Sequence, residues 1–372
     1  MPVYIHDDPE WPRFRWNGEK ISLRLGQVRH RQGRLIGRME SLGFALRSEA
    51  GLRSLTQEVL KSSEIEGEIL DTQQVRSSIA RRMGLESGAL GSVDRNVEAI
   101  VELMIDATAN FAAPLTADRL FGWHAALFPA GRSGMARIRS GNWRDDSKGP
   151  MQVVSGPSGR EKVHFQAPPA ADLNKQMAAF LHWYNGNLDG DTVIRAALAH
   201  LWFVTIHPFD DGNGRIARAI ADMTLARSEG SALRFYSMSA QIRLERSTYY
   251  ALLERTQKGG LDVTPWLLWF LDCLERAFAG AETILASVLA KARFWEIHAG
   301  VQFNERQRAM VKRLFDGFHG KLTTSKWASI AKCSQDTALR DIEGLIERGI
   351  LVKDVAGGRS TSYSLTNSIP GA

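Results

Sequence analysis

The chain has 372 residues, 44% of them hydrophobic and 24% charged, with a formal net charge of +6. That length suits two or three domains with a sizeable core, and no apolar run approaches the ~18 residues of a membrane span. Two cysteines, Cys273 and Cys333, lie far apart without metal-ligand spacing, which argues against a disulfide framework and for a reducing cytoplasm. The mild positive charge suits a phosphate-bearing ligand or nucleic acid without choosing between them.

The start, MPVYIHDDPEWPRF, is acidic and broken by prolines, unlike a signal peptide. Long helical patterns follow, among them LRSLTQEVLKSSEIEGEILD. On one continuous helix Glu64 and Glu68 share a face and Glu66 lies about 200° from each, so the three acids make no metal cluster. Glu64 and Glu68 read as a solvated face. Gly67 costs a helix about 1 kcal/mol against alanine, which reads as close approach of another element.

From about residue 114, LTADRLFGWHAALF, DLNKQMAAFLHWYNG and DTVIRAALAHLWFVTI carry helical periodicity. Between the first two, MQVV, a turn at SGPSGRE, and KVHFQ read as the one β-hairpin of this region, ending at Ala167-Pro168-Pro169. A lone hairpin among helices makes no core, so it is expected to lie over something.

The helix bearing Ile194, Ala197, Leu198, Leu201 and Trp202 delivers His207 to its end, and HPFDDGNG then opens the next helix. A Gly-rich turn before a helix offers free backbone N–H groups and the positive end of the helix dipole, an anion site. Arg215 and Arg218 share a face of the first turns beside it. Asp211 is a hard oxygen ligand suited to Mg²⁺, and His207 is a base close by. Base, phosphate cradle, metal carboxylate and two guanidiniums are the parts that phosphoryl or nucleotidyl transfer requires.

Helical patterns run on to about residue 300, and the last 70 or so residues change character. A short helix meets a turn at Lys332-Cys333, Ser334 caps a longer helix ending at Gly349, and two extended segments flank Gly357-Gly358-Arg359. Residues 301–372 hold 11 Lys/Arg against 7 Asp/Glu, a net of +4, which permits DNA backbone contact without forming a strong basic stripe.

HPFDDGNGRIAR, residues 207–218, resembles the signature of the Fic family, HPFx(D/E)GNGRxxR, at every specified position, with Asp210 in the variable slot. The resemblance covers about residues 60–275, with the hairpin in place of the family's flap. It implies a mainly α fold: an N-terminal helical region (1–110) with an inhibitory helix at about 55–72, and a Fic core (111–280) with a flap at about 141–169. A linker helix (281–300) and a segment resembling a winged helix-turn-helix (301–372) follow.

The implied activity is transfer of AMP from ATP to a Ser, Thr or Tyr hydroxyl of a target protein. His207 would take the hydroxyl proton, Asp211 would hold Mg²⁺, and Gly212, Asn213 and Gly214 would cradle the phosphates. Arg215 and Arg218 would neutralise the β/γ end, and pyrophosphate would leave. Doc-like members, which transfer phosphate, carry lysine at the Gly214 position, so the glycine here favours AMP transfer. Val163, His164, Phe165 and Gln166 would line the nucleotide and target cleft, the hairpin registering the target by strand addition. Tyr249, Tyr250 and Gln257 would contact the nucleoside, although two adjacent tyrosines on a helix cannot both face one pocket.

Ser62, Glu66 and Gly67 match the family's inhibitory pattern (S/T)xxxE(G/N), implying that Glu66 pairs with Arg218 and takes the guanidinium that the γ-phosphate needs. Lys332, Gln335, Arg340 and Arg359 are the candidate DNA contacts, with protein docking or dimer formation as the alternative use of that segment. Two other functions share these residues. One is a nucleotide-sensing transcription regulator, and the other is a hydrolase that removes AMP, with Glu66 activating water.

Overall fold

The computed structural model describes residues 4–85, 93–157, 159–186, 190–316, 318, 320–354 and 361–366. The chain divides into two compact units after Ile284.

In the first unit the helical patterns become α1 (Gly18–Glu40), α2 (Phe44–Ile65), α3 (Thr72–Arg82), α4 (Arg95–Ala109), α5 (Ala117–Leu127), α6 (Leu173–Asn185), α7 (Thr192–Ile206), α8 (Asn213–Glu229), α9 (Met238–Leu244), α10 (Arg246–Gln257) and the first part of α11 (Thr264–Ile297). Their starts are written in the sequence. Asn17, Asp71, Asp94, Thr116, Asp191 and Ser237 each accept a hydrogen bond from a first-turn N–H, which satisfies one of the donors every helix start leaves free.

The core centres on α7, which is buried all round from Val193 to Ile206, the pattern of a helix with no solvent face. Helix α8 packs against it and against α4. Beyond the start of α8, Arg234 is buried and pairs with Asp222 at 3.0 Å and Glu229 at 3.4 Å. Buried Glu58 of α2 accepts from Ser237 Oγ at 2.7 Å and Ser239 N at 3.0 Å, tying α2 to the start of α9.

The middle region holds two hairpins rather than the one expected. β1 (Arg132–Ser133) and β2 (Ala136–Arg137) pair antiparallel around Gly134, whose φ is +52°. A glycine with positive φ at the first central position is what a two-residue hairpin turn asks for, but strands this short carry no alternation to read. β3 (Gln152–Ser155) and β4 (Lys162–Gln166) form the expected hairpin, with an irregularity between Val153 and Val154.

Helix α2 ends at Ile65, earlier than the periodicity suggests. Gly67 adopts φ +86°, its N–H donates to Glu64 O at 3.1 Å, and Glu68 N donates to Ser63 O at 3.0 Å. These are the two bonds of a Schellman C-cap, in which a left-handed residue is required and glycine supplies it without strain. The expected close approach at Gly67 is therefore corrected. A Cβ there would meet nothing within 4 Å, and backbone conformation is the reason for the glycine. Glu68 consequently leaves the helix and shares no face with Glu64.

The second unit, from Leu285, contains α12 (Glu305–Phe315), α13 (Thr324–Ala331), α14 (Gln335–Glu347) and an antiparallel pair, β5 (Leu351–Lys353) with β6 (Tyr363–Leu365). Val311, Trp327, Ala338, Ile342 and Leu345 close its core. Lys332 turns the chain between α13 and α14 in the left-handed region (φ +49°), and Ser334 caps α14. Lys332, Gln335 and Arg340 are exposed, whereas Arg359 and the glycines before it lie outside the described residues. No helix among the described residues is long and apolar enough to cross a membrane.

Candidate active site

The site is the junction between α7 and α8. His207 ends α7 in the left-handed region, φ +52°, with its N–H donating to Phe203 O at 3.0 Å. Its Nδ1 lies 3.2 Å from Val204 O. A carbonyl can only accept, so Nδ1 carries the proton and Nε2 keeps a free lone pair. Burial holds the imidazole down to about 4, with the Arg144 charge acting in the same direction. The ring is thus a neutral base at ordinary pH.

The loop after it is braced from within. Asn213 accepts from Phe209 N at 3.0 Å and donates to Phe209 O at 2.7 Å, so its side chain closes the loop and only its backbone is available to a ligand. Phe209 is buried and stacks on His124 with ring centres 4.2 Å apart. His124 accepts from Gly141 N at 3.0 Å through Nδ1, leaving Nε2 to donate to Asp211 O at 3.2 Å. Burial keeps this imidazole at about 4. Gly212 starts α8 at φ +79°, and a Cβ there would stand 2.9 Å from the Phe128 ring.

Asp211 accepts from Gly212 N at 2.6 Å and from Ser133 Oγ on the unexpected β1–β2 hairpin. Among the described residues no three His, Cys, Asp or Glu side chains are grouped to hold a metal. A lone carboxylate fits Mg²⁺ of the kind that completes its octahedron with waters and substrate phosphates.

Both arginines of the motif are occupied by the end of α2 and the turn that follows it. Arg218, nearly fully buried, donates to Ser62 Oγ and Ser62 O at 3.0 Å each and to Glu66 Oε1 at 2.8 Å. Arg215 lies over the Phe128 ring at 5.2 Å and donates to Glu68 Oε2 at 3.0 Å. Glu68 also accepts from Asn96. The solvated reading of Glu68 is therefore wrong, because the Schellman turn aims it at Arg215. Glu64 pairs with Lys61 at 2.6 Å and with Arg243 at 3.5 Å on the helix flank. Two buried donors, Arg215 Nε and Arg218 Nη1, have no hydrogen-bond partner among the described residues.

A side chain at position 214 would displace the Glu66 carboxylate. A Cβ would sit 2.4 Å from Glu66 Oε1 and 3.2 Å from Arg218 Nη1.

The residues expected around the nucleoside and the target divide. Tyr249 is buried at 1% exposure and hydrogen-bonded to His200 Nε2 at 2.8 Å, while Tyr250 is 39% exposed. Gln257 is buried and donates to Thr205 Oγ1 at 3.3 Å. On β4, Val163 is exposed and His164 bridges Ser155 Oγ and Glu254 Oε2, both at 2.6 Å. Gln166 accepts from Gln152 Nε2 at 2.9 Å. Phe165 departs from the expectation for the whole strand. It is buried, edge-on to Tyr4 and His6, because strand alternation sends it to the opposite side from its neighbours.

A base at a helix end, a braced glycine loop and two arginines at the next helix start thus lie together in one helical unit. Residues 114–225 match the Fic/DOC family, and the chain carries a Fic domain. Residues 4–85 match a domain of unknown function, DUF4172.

A protein adenylyltransferase Fic of Drosophila grimshawi is 35% identical over 111 residues, 29% of this chain and 21% of that protein. One from Nematostella vectensis is 36% identical over 133 residues, 33% of this chain and 28% of that protein. The chain thus matches less than a third of the length of either relative. A Fic family protein from Desulfovibrio desulfuricans shares the fold at a TM-score of 0.51 and 22% identity, covering 92% of this chain and 96% of that one. A Fic domain containing signaling protein from Bacteroides thetaiotaomicron does so at 0.50 and 19%, covering 71% and 97%.

Proposed function

We propose that this chain is a protein adenylyltransferase, transferring AMP from ATP to a Ser, Thr or Tyr hydroxyl of a protein, and that Glu66 restrains it. The observation that carries this reading is the pair of buried, unpartnered donors Arg215 Nε and Arg218 Nη1, the latter beside Gly214 at the start of α8. Buried guanidinium N–H groups without acceptors are costly, and a polyphosphate at a helix start would satisfy them.

In this reading His207 Nε2 takes the proton of the attacking hydroxyl, the hydroxyl oxygen bonds to the α-phosphorus, and the bond to the β-phosphate oxygen breaks with loss of pyrophosphate. Asp211 would hold Mg²⁺, which supplies charge neutralisation. Arg215 and Arg218 stabilise the departing negative charge. Glu66 opposes this by holding Arg218 and by placing a carboxylate where a phosphate oxygen would lie.

Incubation with ATP labelled at the α-phosphate tests the reading. Label on protein that disappears with His207→Ala supports it, and no label from any variant overturns it.

A second reading concerns the C-terminal unit. Exposed Lys332 in the turn before α14, and exposed Gln335 and Arg340 on α14, support a winged helix-turn-helix that meets DNA. Salt-dependent binding to duplex DNA, weakened by Arg340→Ala, would support it. Binding that is indifferent to salt and to that substitution would overturn it.

A further inference from the structure

We infer that Arg144 is a positioning residue for His207, fastening the catalytic histidine to the roots of the β3–β4 hairpin. This rests on the adenylyltransferase reading for what His207 does, but not for the geometry.

The Arg144 side chain is fully buried, and all three of its nitrogens are engaged. Nε donates to His207 O at 2.8 Å, Nη2 donates to Pro168 O at 2.6 Å, and Nη1 meets Asp146 Oδ1 at 3.0 Å. Its backbone N–H donates to Pro208 O at 2.9 Å. Asp146 accepts from Ala170 N at 2.7 Å through its other oxygen. One residue thus holds the carbonyls of His207 and Pro208 while gripping the chain where it leaves β4.

The arrangement asks more of Arg144 than an ion pair does. Asp146 accounts for one guanidinium nitrogen, and the other two reach neutral carbonyls of separate segments. The planar fork of arginine can do this, and the point charge of lysine cannot. The need is local to His207. A left-handed, non-glycine residue is uncommon and persists only where its surroundings fix it. Arg144 fixes it from the carbonyl side, as the N–H bond to Phe203 does from the other. A shift of the hairpin root at Pro168 therefore moves the residue that sets the His207 backbone. The charged groups acting on the imidazole are Arg144, Asp211 and Glu66. Arg144 opposes its protonation and the two carboxylates favour it.

The test uses the full chain in a Glu66→Gly background, with Arg144→Met and Arg144→Lys. The readouts are kcat for AMP transfer, affinity for a non-hydrolysable ATP analogue, thermal midpoint, and titration of the His207 imidazole followed by NMR. Arg144→Met is expected to lower kcat about 10²-fold, the scale of an ångström-level misplacement, with analogue affinity within about threefold. His207 should then titrate at higher pH. Arg144→Lys should restore the titration but recover only part of kcat, because one ammonium cannot reach three acceptors.

Folded variants with kcat within about threefold of the background would overturn the inference, as would equal losses in kcat and analogue affinity. If the background transfers no AMP, the adenylyltransferase reading fails by itself. The NMR titration still decides Arg144, since an unmoved His207 in folded Arg144→Met contradicts it. Should Arg144→Met not fold, Arg144→Lys carries the test, and undiminished kcat there overturns the positioning role.

Discussion

Glu66 Oε1 lies 2.8 Å from Arg218 Nη2, and the Cα of Gly214 is close enough that a Cβ there would stand 2.4 Å from the same oxygen. The carboxylate that ends α2 therefore occupies the space that glycine leaves open at the start of α8. Helix α2 and the Fic motif are some 150 residues apart in the chain, and this contact, with Ser62 on Arg218, is where they meet.

Removing the carboxylate should release the site without disordering Arg218, because Ser62 keeps both of its hydrogen bonds to that guanidinium. A charge-assisted hydrogen bond contributes roughly 1.5–3 kcal/mol, so Glu66→Gly is expected to raise ATP-analogue affinity by about tenfold or more. Calorimetric titration of the two proteins checks this, and equal affinities would contradict it.

Glu68 should be a second, weaker restraint. Its bond to Arg215 is freed by Glu68→Gln, which is predicted to raise analogue affinity a few-fold, since the Glu68 carboxylate is part-exposed and its ion pair is screened. The effect should add to that of Glu66→Gly, since the two carboxylates hold different arginines. A folded Glu68→Gln that binds the analogue as the parent does would return Glu68 to the solvated role its helical spacing suggested.

Gly214→Ala is expected to destabilise the parent but not the Glu66→Gly protein, because the close contact is with the Glu66 carboxylate. A double-mutant cycle on thermal midpoints measures the coupling. A drop of the same size in both backgrounds would show that the glycine serves something else.

Burial depresses His124 and His207 to about 4 and His200 to about 3, below the ordinary histidine value of about 6.5. The unfolded chain therefore binds protons that the native state refuses. Their contribution to stability is full above pH 6.5 and is lost as pH falls towards 4. Denaturation midpoints should fall steadily over that window, and a midpoint constant from pH 7 to 4.5 would contradict this account. For the same reason kcat should stay flat from pH 8 to about 5, whereas a half-maximal point near 6.5 would mean that His207 is not the buried base described.

What the sequence revealed depended on how far apart the cooperating residues lie. The twelve residues from His207 to Arg218 are contiguous, so their types and spacing could be read together as an anion site. The Glu66–Arg218 contact was legible through the family pattern alone, since no local period connects α2 to α8. Glu68 was misread because Gly67 admits two physical explanations, and the Schellman turn and the close approach send the next residue to different places. Helical geometry kept Tyr249 and Tyr250 from sharing one pocket without saying which faces where, and it is Tyr249 that is buried. Arg144 and His124 act through backbone carbonyls of distant loops, an interaction to which side-chain pattern is blind. The β1–β2 hairpin, which supplies Ser133 to Asp211, is too short for its strands to register.

On this proposal His207 performs AMP transfer and Glu66 withholds Arg218 from it. The most direct measurement is the rate of label incorporation from α-phosphate-labelled ATP into protein by the parent, Glu66→Gly, and Glu66→Gly with His207→Ala. Slow incorporation, a rate at least about tenfold higher, and none above background are expected, in that order. Equal rates in the first two, or label that survives loss of His207, would contradict it.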